Sequence, residues 1–108
     1  LLRLRGGPTF AFAGLWSHWK NPESGANLET CAILTTTPNE LTATVHDRMP
    51  VILEASTWQR WLDDAPPGTP FTDLFLSYSA ADMEALPVSK RVNSPANEGP
   101  DLIEPVQM

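Results

Sequence analysis

Residues 30–53, TCAILTTTPNELTATVHDRMPVIL, decide how this chain folds. The segment opens on TCAILTT (30–36), which is short, apolar and β-branched and reads as a strand. Thr37-Pro38-Asn39-Glu40 follows. It offers a capping side chain, a proline at the first helical position and a glutamate three residues after the cap, which predicts a short helix over about 38–43. Val51-Ile52-Leu53 is again extended and apolar. Between helix and strand stand His46, Asp47 and Arg48, closed by Met49 and Pro50. A core strand does not carry three such groups in a row, so this is a loop edge that holds polar groups at a fixed point.

Toward the N-terminus, residues 1–5 alternate and Gly6-Gly7 is a turn signal. PTFAFAGLW (8–16) alternates Phe with Ala. Two antiparallel strands near 1–5 and 9–16 are expected, followed by a polar loop over KNPESGANLE (20–29). Toward the C-terminus, Ser56 and Gln59 form a second capping box that opens a helix at about 57–63. Trp58, Trp61 and Leu62 fall on one face of it. DDAPPGTP (63–70) is a loop, and Thr69-Pro70 can cap a short helix carrying Phe71, Leu74 and Phe75. SAADMEAL (79–86) allows a helical turn, PVSKRV (87–92) reads as a late strand, and 93–108 is an irregular tail. The class is α+β, mainly antiparallel strands with short helices.

A chain of 108 residues fits one small domain with a modest core. Hydrophobic residues at 42% and charged residues at 19% make it globular rather than disordered. No apolar run is long enough to span a bilayer, so no membrane partner is expected, and no signal peptide is visible. One cysteine forms no internal disulfide, which suits a reducing, cytoplasmic setting. The net charge of −6 is uneven: residues 55–108 carry three bases against eight acids. That excludes a protein that coats nucleic acid nonspecifically, and any nucleic-acid contact has to be local.

Several side chains are candidates for chemistry. His46 can exchange protons near neutral pH and Arg48 can bind phosphate; equally, 46–48 can be a surface turn in which Asp47 and Arg48 pair. Thr35, Thr36 and Thr37 can offer hydroxyls and amides to an anion, or simply end a strand and cap a helix. Cys31, between Thr30 and Ala32, is expected to be a small buried hydrophobe rather than a nucleophile. His18, His46 and Cys31 match no metal-ligand spacing, so no metal and no cofactor is implied. Trp58 and Trp61 are expected in the core, whereas Trp16 and Trp19 could pack or stack on bases. Asn93 and Asn97 read as turn residues. A hydrolase using Ser17 or Thr44 has no elbow or triad pattern behind it.

FAFAGLW, ETCAILTTTPNELTATVHDRMPVIL, the paired tryptophans of WQRWL and PVSKRVNSPANEGPDLIEPV, in this order, resemble the C-terminal half of the SRAP (SOS response-associated peptidase) family. The resemblance implies a mainly antiparallel β pseudo-barrel with short peripheral helices, incomplete here, with 1–108 as the C-terminal portion of a single domain. It implies a DNA-damage function: binding single-stranded DNA and forming a covalent link to abasic sites, with autoproteolytic peptidase activity. In that chemistry an N-terminal cysteine amine condenses with the open-chain aldehyde, releasing water. Its thiol then adds to the imine carbon and closes a thiazolidine. An Asn, a Glu and a His assist.

By the resemblance His46 is that catalytic histidine, Arg48 lies near DNA phosphate, and Thr35 and Thr36 line the same groove. The implied partners are single-stranded DNA with abasic sites and the N-terminal half of the domain, at the nucleoid after damage. This sequence lacks the Met-Cys-Gly-Arg opening and the segments carrying the catalytic Asn and Glu, so the chain alone is expected to be inactive. The alternative is an inactive structural or binding remnant.

Overall fold

In a computed structural model, residues 1–107 are described; Met108, the last residue of the expected tail, lies outside the described residues. Eight strands form four antiparallel pairs: β1 (Leu2–Leu4) with β8 (Met83–Ala85), β2 (Ala11–Phe12) with β7 (Ile52–Leu53), β3 (Gly14–Lys20) with β4 (Asn27–Ile33), and β5 (Thr35–Thr36) with β6 (Met49–Pro50). One α-helix, α1 (Trp58–Leu62), and several 3-10 turns lie between them. The architecture is α+β and mainly antiparallel, and the strands do not close into a barrel among the described residues. No helix among these residues is long and apolar enough to cross a membrane.

The centre is a backbone junction. Ala13 N–H donates to Val51 O (2.8 Å), Val51 N–H to Leu34 O (2.9 Å), and Leu34 N–H to Ala13 O (2.9 Å). Three chain segments thus close a ring of hydrogen bonds. The site needs a small residue, and Ala13 is 0% exposed. Around the junction the apolar residues divide into two clusters. Ala13, Val51 and Leu53 pack with Leu34, Trp58, Trp61, Leu74 and Phe75 on one side. Met49, Ile52 and Met83 pack with Leu2, Leu4, Phe10, Leu41 and Tyr78 on the other. Val51-Ile52-Leu53 feeds both because successive strand side chains point to opposite faces.

Several expectations are corrected. Gly6 and Gly7, both at positive φ, do make a turn, and Gly7 N–H donates to Leu4 O (2.9 Å). The chain beyond it does not fold back on β1, however. Leu2–Leu4 pairs with Met83–Ala85 instead, and Arg3 bonds its register partner Glu84 (2.6 Å). The polar 20–29 loop is only a turn at 21–26, because β3 and β4 run seven residues each on either side. Asn21 Oδ1 shapes that turn by accepting Glu23 N–H (2.8 Å).

The 38–43 helix is a single 3-10 turn, Thr42–Thr44. Its anchor is Asn39, not Thr37: Asn39 Oδ1 accepts the N–H of Leu41 (3.1 Å) and Thr42 (2.9 Å). The helix near 57–63 exists as α1, entered through a 3-10 turn at Ala55–Thr57, with no side-chain cap from Ser56. Trp58 and Trp61 face the core and donate their indole N–H groups to Leu53 O (3.0 Å) and Gly14 O (3.1 Å). Leu62, about 100° round the helix from Trp61, is left exposed. Residues 87–92 hold only an isolated bridge, Val88 to Pro105, before a 3-10 turn at Lys90–Asn93.

The β3–β4 hairpin stands away from this core, and all fourteen of its residues are exposed. Its projection explains a radius of gyration of 17.5 Å, against about 13 Å for a compact domain of this length. Cys31 lies on it, opposite Trp16, and is exposed. The expected burial fails because a two-stranded hairpin with no second layer cannot cover an apolar side chain.

Candidate functional site

The 37–48 segment is fixed before it presents any functional group. Besides its two caps, Asn39 donates from Nδ2 to Tyr78 O (2.7 Å). Ser77 Oγ donates to Thr37 O. Thr42, the one buried polar residue among those described, turns the chain so that Val45 N–H and His46 N–H both reach Thr42 O (2.9 and 3.0 Å). The anchoring role of Asn39 was missed in the sequence, although an asparagine two and three residues before the amides it binds is an Asx-turn signal.

His46 emerges from this turn with 70% of its side chain exposed. It stands at the edge of a cleft of about 250 Å³ whose walls are apolar, among them Phe10, Phe12, Met49 and Ile52, with Arg48 on the same rim. His46 Nδ1 has two neighbours with opposite demands. Arg48 N–H donates to it at 3.1 Å, which requires a lone pair there. Asp47 Oδ1 lies 3.0 Å away, which suits a proton there. In the neutral ring Nδ1 accepts from Arg48 and Nε2 carries the proton outward; in the imidazolium Nδ1 donates to Asp47. The second state leaves the Arg48 amide without its acceptor, so the amide favours the neutral ring and Asp47 the charged one. The expected surface pair of Asp47 with Arg48 is not formed: Asp47 turns to His46, and Arg48 turns across the β5–β6 pair.

There the Arg48 guanidinium meets Thr35. Nε donates to Thr35 Oγ1 (3.2 Å), and Nη2 donates to Thr35 Oγ1 and Thr35 O (both 2.9 Å). Thr35 stands opposite Pro50. The Val51 to Leu34 bond flanks this pair, and in an antiparallel ladder the next pair makes none. Pro50 therefore costs the ladder no donor, and the Thr35 carbonyl stays open to Arg48. Thr36 points the other way: half-buried, it donates from Oγ1 to Phe75 O (2.8 Å). The fold thus brings His46, Arg48 and Thr35 together and uses the Thr36 hydroxyl to hold the 75 loop.

Cys31 is not among the residues that line the cleft. His18 sits on the hairpin, 3.5 Å from Glu29 and stacked edge-on against Trp16. Trp16 and Trp19 are exposed on opposite hairpin faces. Asn97 donates to Arg91 O (2.9 Å) within its turn. On the far side of α1 the hydrogen bond from Arg60 holds the Asp73 carboxyl below its ordinary value, and Asp73 raises Arg60 in return.

The model of the SOS response associated peptidase (SRAP) family matches residues 1–95. The abasic site processing protein YoqW of Bacillus subtilis is 47% identical over 104 residues, covering 95% of this chain and 46% of that protein. The abasic site processing protein HMCES of Gallus gallus is 32% identical over 105 residues, covering 96% and 31%. The chain therefore spans less than half the length of these curated relatives. A crystal structure of a protein from Bacteroides thetaiotaomicron shares the fold, with a TM-score of 0.80 at 24% identity over 98% of this chain and 47% of that one. A match over residues 1–95 that carries the His46 turn, the Thr35 strand and the junction between them places this chain in the SRAP family.

Proposed function

We propose that residues 1–108 form the C-terminal portion of a single SRAP domain that processes abasic sites in DNA. The observation that carries this reading is the exposed His46 ring beside an Arg48 guanidinium already fixed on Thr35. His46 serves as the proton-transfer group at the open-chain abasic sugar, with Nε2 left for that task while Arg48 N–H holds Nδ1. Arg48 takes the adjoining phosphate of a single strand, Thr35 stands under it, and Thr36 keeps the strand end in place. The names of the relatives, abasic site processing proteins, support the substrate. The site of action on this reading is the cytoplasm, at the nucleoid after damage. The autoproteolytic, hydrolase-type activity belongs to the same reading.

The thiazolidine cross-link needs an amine and a thiol on one residue. Cys31 has its nitrogen in a peptide bond and sits on the hairpin, so within residues 1–108 no side chain supplies that pair. On this reading the nucleophile comes from the N-terminal portion of the domain. The same observation favours the second reading, in which this chain alone is an inactive binding remnant.

Binding of the 108-residue chain to a single-stranded oligonucleotide with one abasic site, read by anisotropy at several salt concentrations, tests the proposal. Arg48→Ala is expected to weaken binding about tenfold and to reduce the salt slope by about 0.7. No dependence on Arg48, or equal affinity for intact DNA, overturns the reading. On a denaturing gel without reductant no adduct is expected. A stable band mapped to Cys31 would show that the nucleophile has been misplaced.

A further inference from the structure

Arg48 has five N–H donors, and the structure commits three of them to one residue. Nε and one Nη2 hydrogen reach Thr35 Oγ1 (3.2 and 2.9 Å), and Nη2 also reaches Thr35 O (2.9 Å). These two nitrogens form the side-on edge of the guanidinium, the edge that ordinarily grips a phosphate in bidentate fashion. Nη1 has no partner among the described residues. Thr35 is held from both sides, because its neighbour Leu34 belongs to the backbone junction and Thr36 is tied to Phe75 O. The threonine hydroxyl accepts from Arg48, so its lone pairs are spent while the clamp stands and only its own O–H proton is left to donate.

We infer that Thr35 acts through Arg48 rather than by touching the nucleic acid: it is a positioning residue that spends the side-on edge and leaves the Nη1 end to donate to a phosphate oxygen. This inference rests on the reading of Arg48 as a phosphate ligand and refines it. A free arginine side chain loses rotamer freedom when it binds an anion. A clamped one has lost it already, so fixation by Thr35 raises affinity without adding a contact. The clamp also selects among ligands. A phosphate oxygen that accepts a single bond fits the Nη1 end, whereas a ligand that requires the side-on edge must first break the Thr35 bonds.

The test separates positioning from contact by a double-mutant cycle in the 108-residue chain. Thr35→Val is expected to weaken abasic single-strand binding about threefold to tenfold, with the salt slope unchanged because Arg48 still neutralises its phosphate. Thr35→Ser, which keeps the hydroxyl, is expected to restore most of the affinity. In the Arg48→Ala background, Thr35→Val is expected to have no further effect. Equal losses in both backgrounds would show that Thr35 contacts DNA directly and overturn the inference.

A DNA-free readout distinguishes failure of this inference from failure of the underlying reading. The Arg48 Nε–H proton, held on Thr35 Oγ1, is expected to exchange slowly by NMR and to become fast in Thr35→Val but not in Thr35→Ser. If Arg48→Ala leaves binding intact while Nε–H is protected, the phosphate reading falls and the clamp stands. Fast exchange in the unsubstituted chain sinks the clamp itself.

Discussion

The backbone junction and the β3–β4 hairpin are made of similar residues and end in opposite environments. At the junction, Ala13, Val51 and Leu53 are buried between strands, α1 and the 71–75 turn. On the hairpin, Leu15, Trp16, Trp19, Leu28 and Ile33 are all exposed. Both regions form strands, and β4 carries four apolar residues in seven, a smaller share than the wholly apolar 51–53 run. What differs is the third partner. Val51 has two backbone neighbours in Ala13 and Leu34 and an indole layer above; a hairpin residue has one neighbour strand and solvent on both faces. Apolar composition marks a strand as able to be buried, and the number of layers around it decides whether it is.

The largest break in this contrast comes from charge. Val51→Asp puts an unpaired carboxylate where 1% of the residue is exposed, and a loss of more than about 4 kcal/mol is expected, enough to unfold the chain. Urea unfolding followed by circular dichroism checks it, and a cooperative transition near the unsubstituted midpoint would deny that the junction is the core.

An intermediate effect is expected from the clasp beside that core, where Arg60 grips Asp73 through two bonds (2.6 and 3.0 Å) and lies over Phe71. The hydrogen bond from Arg60 lowers the Asp73 carboxyl in the folded state. Its contribution is therefore full above the ordinary carboxylate value and lost as pH falls through the lowered folded value. Denaturation midpoints of the unsubstituted chain and Asp73→Asn should differ at neutral pH and converge as the pH falls through the lowered Asp73 value. A gap that persists in acid means the clasp holds by packing rather than by charge.

The smallest effect sharpens the other side. Trp16→Ala removes a large side chain that is 69% exposed, and the change is expected to stay within about 0.5 kcal/mol. A loss of several times that would show the hairpin to be covered in solution.

The site was legible in the sequence to a limited degree. The His46-Asp47-Arg48 edge stands out locally because no core strand would carry it. Its meeting with Thr35 came through the family resemblance alone, since the strand pairing that joins residues 35 and 50 leaves no mark in either segment. Extended backbone over 30–36 is readable from β-branched composition, but its start at Asn27 and the break at Leu34 that hands Thr35–Thr36 to another partner are not, and the burial of Cys31 fails for the reason the hairpin shows. For Leu2–Leu4 the local pattern points to the nearest strand after a glycine turn; its true partner is recognisable only from Arg3 facing Glu84 across the pair. The Trp58 and Trp61 pair was readable as a core face, because at helical spacing two indoles must be covered and their N–H groups need acceptors.

That β1–β8 pairing also sets a timetable for synthesis. Arg3 and Glu84 are 81 residues apart. At roughly 5 to 20 residues per second, β1 leaves the ribosome about 4 to 16 seconds before its partner does. Until then Leu2 and Leu4 lie on an unpaired edge, and the Met83 side of the core has no lid. The chain is open to wrong pairing for that interval, and slower translation through residues 70–85 lengthens it. Expression at reduced temperature or with rare codons in that stretch would then be governed by how long β1 waits rather than by how stable the finished fold is.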